Sequence, residues 1–295
     1  MTFNPKRILL KKINIKLNIF SLILILIALL SVHSLISNSC DKSEDILINK
    51  IKYRLIVIIL TSPDNMKNRD VIRKTWISEK NENIKHLFAI GTLDIQSEQI
   101  ETLKSEQQKY NDLLLLPKLE DLYNTLTKKL MINLDSWDSK KTGKELYWGF
   151  FNGKAQVKRT GPWKEPDWNI CDYYLPYALG GGYVLSYNLV KFIALNANLL
   201  RLFNAEDVSV GLWLAPIANV EKKHDVRFDT EYRSRGCSNQ YIITHKQEPE
   251  NMRKIHDFYM STGTLCATEI KIRMSYQYNW TVPPSQCCNR QTGII

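Results

Sequence analysis

Between Leu17 and Ile36 the chain runs for twenty residues without a charge, and every ionisable group before that run is basic. Twenty helical residues reach about 30 Å, the thickness of a bilayer's hydrocarbon core. Lys6, Arg7, Lys11, Lys12 and Lys16 precede the run, and the first acid is Asp41. Basic flanks stay on the cytoplasmic side, so the expected layout is a tail (1–16), a single membrane anchor (17–36), a stem (37–52) and a lumenal body (53–295). A cleaved signal peptide is the alternative, but Ser31-Val32-His33-Ser34 offers no A-x-A cleavage site. Of the formal net charge of +10, five charges belong to this orienting tail and five to the remainder. The lysines of the body are dispersed and form no recognised nucleic-acid module, so nucleic acid is not an expected partner.

All six cysteines follow the anchor run, as an oxidising compartment would allow. Six cysteines permit fifteen pairings, and spacing alone does not choose among them. Cys287 and Cys288 are neighbours, and a bond between them would be strained, so each is expected to pair elsewhere. Asn279-Trp280-Thr281 is a glycosylation sequon.

The body alternates strand and helix patterns. Leu55 to Leu60 is a continuous apolar, β-branched run, read as a strand buried on both faces. A helix is expected over 67–78, a second strand over 86–91, a helix over 97–109 and a third strand over 113–116. Leu119, Leu122, Tyr123, Leu126 and Leu130 then follow helical spacing. This order predicts an α/β fold with an open sheet of the nucleotide-binding kind. Neither G-x-G-x-x-G nor G-x-x-x-x-G-K-[ST] is present, nor is G-x-S-x-G. Dinucleotide oxidoreductases, P-loop enzymes and serine hydrolases of the elbow type are therefore unsupported.

Asn68-Arg69-Asp70-Val71-Ile72-Arg73-Lys74-Thr75-Trp76 resembles the R-x-x-I-R-x-T-W signature of the β-1,3-glycosyltransferases of glycosyltransferase family 31. Phe88 to Gly91, Asp121-Leu122-Tyr123, Ala178 to Ser186 and Glu206 to Gly211 agree with that family in order. Leu146 to Phe151, Cys171 to Tyr177, Phe228 to Tyr232, Arg235 to Gln240 and the tail Pro283 to Cys288 resemble the branch that builds the glycosaminoglycan linker. The resemblance implies a GT-A fold with a mixed central sheet. It also implies UDP-galactose as donor, a galactosyl-xylosyl acceptor on a proteoglycan core, inversion, manganese and the Golgi membrane.

Inverting transfer needs a base for the acceptor hydroxyl and a sink for the charge of the leaving diphosphate. Asp207, with Glu206 beside it, occupies the family's E-D-V motif and is the expected base; acids in a first helical turn also serve as plain dipole partners. His245 matches a late metal-ligating histidine, and a neutral imidazole suits manganese. Arg69 and Arg73, four apart on one helix face after the first strand, suit a donor diphosphate. One of the two is expected to be structural. Gly181 and Gly182 would let backbone approach the donor closely. Trp148, Phe150, Phe151 and Trp163 could stack on a sugar, although aromatics near strands are more often core.

One family element is missing. The acidic metal motif D-x-D follows a buried strand in relatives, between the 119–131 helix and Leu146 to Phe150. This chain contains no D-x-D; Met131 to Glu145 holds only Asp135 and Asp138, too far apart to form one. Loss of one central strand is therefore expected. With it comes a second functional reading, a non-catalytic Golgi protein that binds donor, acceptor or a partner enzyme.

Overall fold

The computed structural model describes residues 53–78, 81–122, 125–134 and 145–290. The anchor run, the stem, and Asp135 and Asp138 lie outside them. No helix among the described residues is long and apolar enough to cross a membrane.

The first half follows the strand and helix pattern closely. Strand β1 (Leu55–Leu60) leads through a short turn into helix α1 (Met66–Lys74). Strand β2 (Ile84–Gly91), helix α2 (Ser97–Tyr110), strand β3 (Leu113–Leu116) and helix α3 (Leu126–Leu134) follow. Helix α1 stops where Thr75 Oγ1 bonds back to the Val71 carbonyl. Helix α2 is fixed at both ends. Gln96 and Gln99 form a capping box, and Asn111 closes the last turn in the left-handed region. Strands β1, β2 and β3 pair in parallel in that order, and Phe88, Ile90, Leu103 and Leu113 pack as their core.

The second half builds a separate sheet. Strand β4 (Glu145–Asn152) pairs antiparallel with β5 (Tyr177–Leu185) and parallel with β6 (Val220–His224). Helices α4 (Tyr187–Leu195) and α5 (Glu206–Leu214) cover it over Tyr147, Phe151, Ile193 and Trp213. Two small ladders complete the described part. Strands β7 (Phe228–Asp229) and β9 (Ile243–Thr244) pair in parallel. Strands β8 (Gly236–Cys237) and β10 (Ile270–Lys271) pair antiparallel, with helix α6 (Pro249–Thr262) between β9 and β10.

These sheets are consistent with a GT-A-like glycosyltransferase, but the central sheet is not continuous. Among the described residues no strand joins the β1-β2-β3 sheet to the β5-β4-β6 sheet. As a result β1 is an edge strand, half-buried along its length with Leu55 43% exposed. The expectation of a strand covered on both faces belongs instead to β2, whose last five residues are buried. The cysteines also depart from expectation. Cys237 bonds to Cys266, Cys287 bonds to Cys288, and Cys171 is free and exposed. The adjacent pair is joined although Cys171 remains free.

Candidate active site

Two clusters of charge occupy the regions singled out by the sequence, and they differ in kind. At the carboxyl ends of β1 and β2, Arg69 is fully buried. Its guanidinium donates to both oxygens of Glu106, at 2.8 and 2.7 Å, and to the carbonyls of Ser62 and Pro63. Arg73 donates to both oxygens of Asp112 at 2.8 Å and to Glu106 at 2.7 Å. Burial alone would raise the Glu106 carboxyl, but hydrogen bonds from the two arginines outweigh it and hold it below its ordinary value. Arg69 and Arg73, both expected at the donor diphosphate with one of them structural, each have their forks engaged by carboxylates. They brace α1, α2 and the loop after β1.

Beside them, Lys129 of α3 is 1% exposed and donates to Asp121 Oδ2 at 2.8 Å and to the Thr61 carbonyl. The same Asp121 oxygen accepts the Gly91 N–H at 2.8 Å. Glycine is required at 91, since a Cβ there would lie 2.7 Å from the Leu119 carbonyl oxygen.

The second cluster lies against the glycine run of β5. The Gly180 N–H donates to Asp207 Oδ2 at 2.9 Å, and the Val208 N–H donates to Oδ1 at 2.8 Å. A Cβ at Gly180 would stand 2.5 Å from Glu206 Oε1, so a larger residue there would push the Glu206 carboxyl aside. A Cβ at Gly181 would stand 2.9 Å from both the His245 ring and Thr230 Cβ, and one at Gly182 would meet Ile243. Consecutive strand residues point to opposite faces. The glycine run thus holds the α5 acids against one residue and His245 against the next. Gly181 and Gly182 are where the sequence placed them, in close backbone approach; their neighbours are protein side chains.

Burial pushes both acids upward. The Glu206 carboxyl is raised by desolvation and then by the adjacent Asp207. The Asp207 carboxyl is also raised by desolvation, while the Gly180 and Val208 N–H groups pull the other way. A carboxylate shifted toward neutrality is a better proton acceptor than an ordinary one. Each Asp207 oxygen accepts one backbone N–H and keeps a further acceptor position. His245 is half-buried; burial and then neighbouring Lys246 lower its pKa, so the ring is neutral. Among the described residues no three His, Cys, Asp or Glu side chains converge as metal ligands. His245 is thus a lone ligand candidate among the described residues, and Asp135 and Asp138 lie outside them.

Glu165 is a residue that motif reading missed. It is 1% exposed, in the segment between β4 and β5, and accepts the Ala205 N–H at 2.6 Å and the Asn204 N–H at 2.9 Å. It thereby fixes the start of α5, immediately before Glu206 and Asp207. Nothing in its local sequence signals this, because its partners lie forty residues on. Lys129 did carry a signal: it lies three residues after Leu126, on the apolar face of its helix. Of the four aromatics considered for sugar stacking, Phe150 and Phe151 are fully buried and Trp148 is tied to Asp225. Trp163 alone is exposed among them, at 40%. Asn279 is exposed, and its Oδ1 accepts from the Thr281 N–H and hydroxyl.

Comparison with known proteins shows the family. The galactosyltransferase family model matches in two segments, residues 67–149 and 138–225. They meet at the interval where the acidic motif is missing. Mouse "Beta-1,3-galactosyltransferase 6" is 41% identical over 278 residues, covering 83% of this chain and 85% of that protein. Since 83% of 295 residues is about 245, about 33 of those 278 positions carry no residue of this chain. Arabidopsis thaliana "Hydroxyproline O-galactosyltransferase GALT2" is 28% identical over 251 residues, with 72% of this chain and 36% of that protein covered. Mouse "UDP-GalNAc:beta-1,3-N-acetylgalactosaminyltransferase 2" is 30% identical over 172 residues, 58% of this chain and 30% of that protein. With a family model over more than half its length and a 41% identical relative along most of it, the chain belongs to the galactosyltransferase family.

Proposed function

We propose that this protein transfers galactose from UDP-galactose, in β-1,3 linkage and with inversion, to a galactosyl-xylosyl acceptor of the proteoglycan linker. The observation that carries the reading is the Asp207 carboxylate, held by the Gly180 and Val208 N–H groups with its pKa raised by burial. Identity to the mouse β-1,3-galactosyltransferase supports the linkage and the sugar. In this reading Asp207 takes the proton of the acceptor hydroxyl as that oxygen attacks the anomeric carbon, and the bond to UDP breaks on the opposite side. Glu206 has its carboxyl raised by desolvation and then by Asp207, which favours a single negative charge on the pair. Glu165 keeps both acids in register by anchoring the backbone before them. His245 borders the same glycine run as a neutral donor or acceptor. No step is assigned to manganese, since the described residues form no ligand set for it. The charge-free run at 17–36 supports a Golgi membrane anchor with the body in the lumen, where Asn279 would be a glycosylation acceptor.

A specific observation favours a second reading. The missing D-x-D and the lack of a ligand cluster among the described residues suit a protein that binds donor or acceptor without turnover. Release of UDP from UDP-galactose with a galactosyl-xyloside acceptor, with and without added manganese, separates the two. Acceptor-dependent UDP release abolished by Asp207→Asn supports the transferase. Saccharide binding without any UDP release supports the second reading.

A further inference from the structure

Trp163 and Tyr232 form an aromatic pair that core packing does not explain. They expose 40% and 64% of their surface and meet edge to face, with centroids 5.3 Å apart at 73°. Burying such rings is worth roughly 2 kcal/mol or more each, so leaving both open costs stability unless something covers them. Their positions tie them to the site. Trp163 lies two residues before Glu165, which anchors the start of α5. Tyr232 lies two residues after Thr230, which with His245 walls Gly181. Lys246, directly after His245, sets its Nζ 3.2 Å from the Tyr232 ring centroid. Its backbone sits in the left-handed region at φ 61°, a conformation that costs an L residue roughly 1–2 kcal/mol. Strain of this sort marks places where a side chain's direction matters.

We propose that Trp163, Tyr232 and Lys246 form an acceptor subsite that holds a pyranose ring of the glycan being extended. This rests on the transferase reading above. A pyranose offers a face of C–H groups, which an exposed aromatic ring can cover, and a rim of hydroxyls, which an ammonium can bind. Acceptor rather than donor follows from where the patch is anchored. One support, Glu165, anchors the start of α5 where Asp207 sits and an acceptor hydroxyl must give up its proton, and the other, the Thr230 and His245 wall, lies against the next residue of the same glycine run. The donor nucleotide, by the rule for open parallel sheets, belongs at the carboxyl ends of β1 and β2. An aromatic clamp there fixes the sugar's orientation, which lowers the entropy cost of attack.

The test is steady-state kinetics of the full chain with a galactosyl-xyloside acceptor and UDP-galactose. Trp163→Ala and Tyr232→Ala should each raise the acceptor KM about tenfold, the scale of one lost 1.4 kcal/mol contact. The KM for UDP-galactose should stay within about twofold, and Trp163→Phe should retain most of the affinity. An unchanged acceptor KM in the double variant overturns the subsite, as does a rise confined to the UDP-galactose KM, which would assign the patch to the donor. If the wild-type chain gives no transfer, the transferase reading fails on its own, and saturation-transfer NMR with the same saccharide reads the patch. Binding lost in the double variant upholds the subsite. Equal binding in both proteins, or none in the wild type, overturns it.

Discussion

The arginine cluster after β1 and the acid pair at the start of α5 are both buried groups of charge, yet they are built on opposite plans. Around Arg69 and Arg73, Glu106 and Asp112 take up the guanidinium donors, and the result is a closed ion-pair network. At Glu206 and Asp207 two acids stand side by side with only backbone N–H groups for partners. The closed network lowers the Glu106 carboxyl pKa and locks geometry; burial raises those of the unpaired acids. The comparison separates a bracing role from a chemical one, although both segments carry family motifs.

The sharpest way to break this contrast is to neutralise one member of each cluster. Asp207→Asn should lower kcat by roughly 10²–10⁴, the range for a lost general base, while far-UV circular dichroism stays unchanged. Arg69→Ala should do the reverse. It leaves Glu106 buried without its main partner, a loss of about 3–5 kcal/mol, read as a lower urea midpoint. If Arg69→Ala instead left the midpoint alone and raised only the UDP-galactose KM, the bracing role would be wrong.

The pH profile sharpens the same point. Asp207 must be ionised to accept a proton, and burial raises its pKa. The acid limb of kcat/KM should therefore fall at a higher pH than an ordinary aspartate would give. A limb that stays flat down to the ordinary value of 3.8 would deny Asp207 the role of base.

These contrasts also explain what could be read from the chain beforehand. Strands β1 to β3 were legible because each is a continuous apolar run, and Asn111 and Gln96 end α2 with local chemistry. The edge status of β1 is not visible in its own six residues, since it depends on which described strands pair with it. The partners of the arginines are hidden from the sequence for a related reason. Four-residue spacing places Arg69 and Arg73 on one face, but Glu106 lies 37 residues past Arg69 and only the folded packing of α2 on α1 brings it near. The acids of α5 and the glycines of β5 were found by motif, while their contact, and Glu165 behind them, required the fold. The adjacent cysteines show that a local rule about strain does not by itself decide pairing.

Glu165→Ala should have a smaller effect than the changes above. Loss of a capping carboxylate costs about 1 kcal/mol of stability. A positioning role adds a readout that simple capping lacks: kcat should fall more than acceptor KM rises. Glu165→Asp, which keeps the charge on a shorter arm, should restore stability better than kcat.

The last effect concerns Glu206, and its sign is opposite to that of Arg69. Because burial raises its carboxyl above the ordinary glutamate value of 4.5, the folded chain binds more protons than the unfolded chain over the interval between those two values. Stability must therefore fall as pH rises through that interval. Glu206→Gln mimics the protonated acid and removes the penalty. The variant should melt higher than wild type at pH 8, and the difference should vanish near pH 4, where both states of the wild type are protonated. A variant that melts lower at pH 8 would mean that Glu206 is held as a stabilised anion, and the α5 acids would then belong to the same paired class as the arginine cluster.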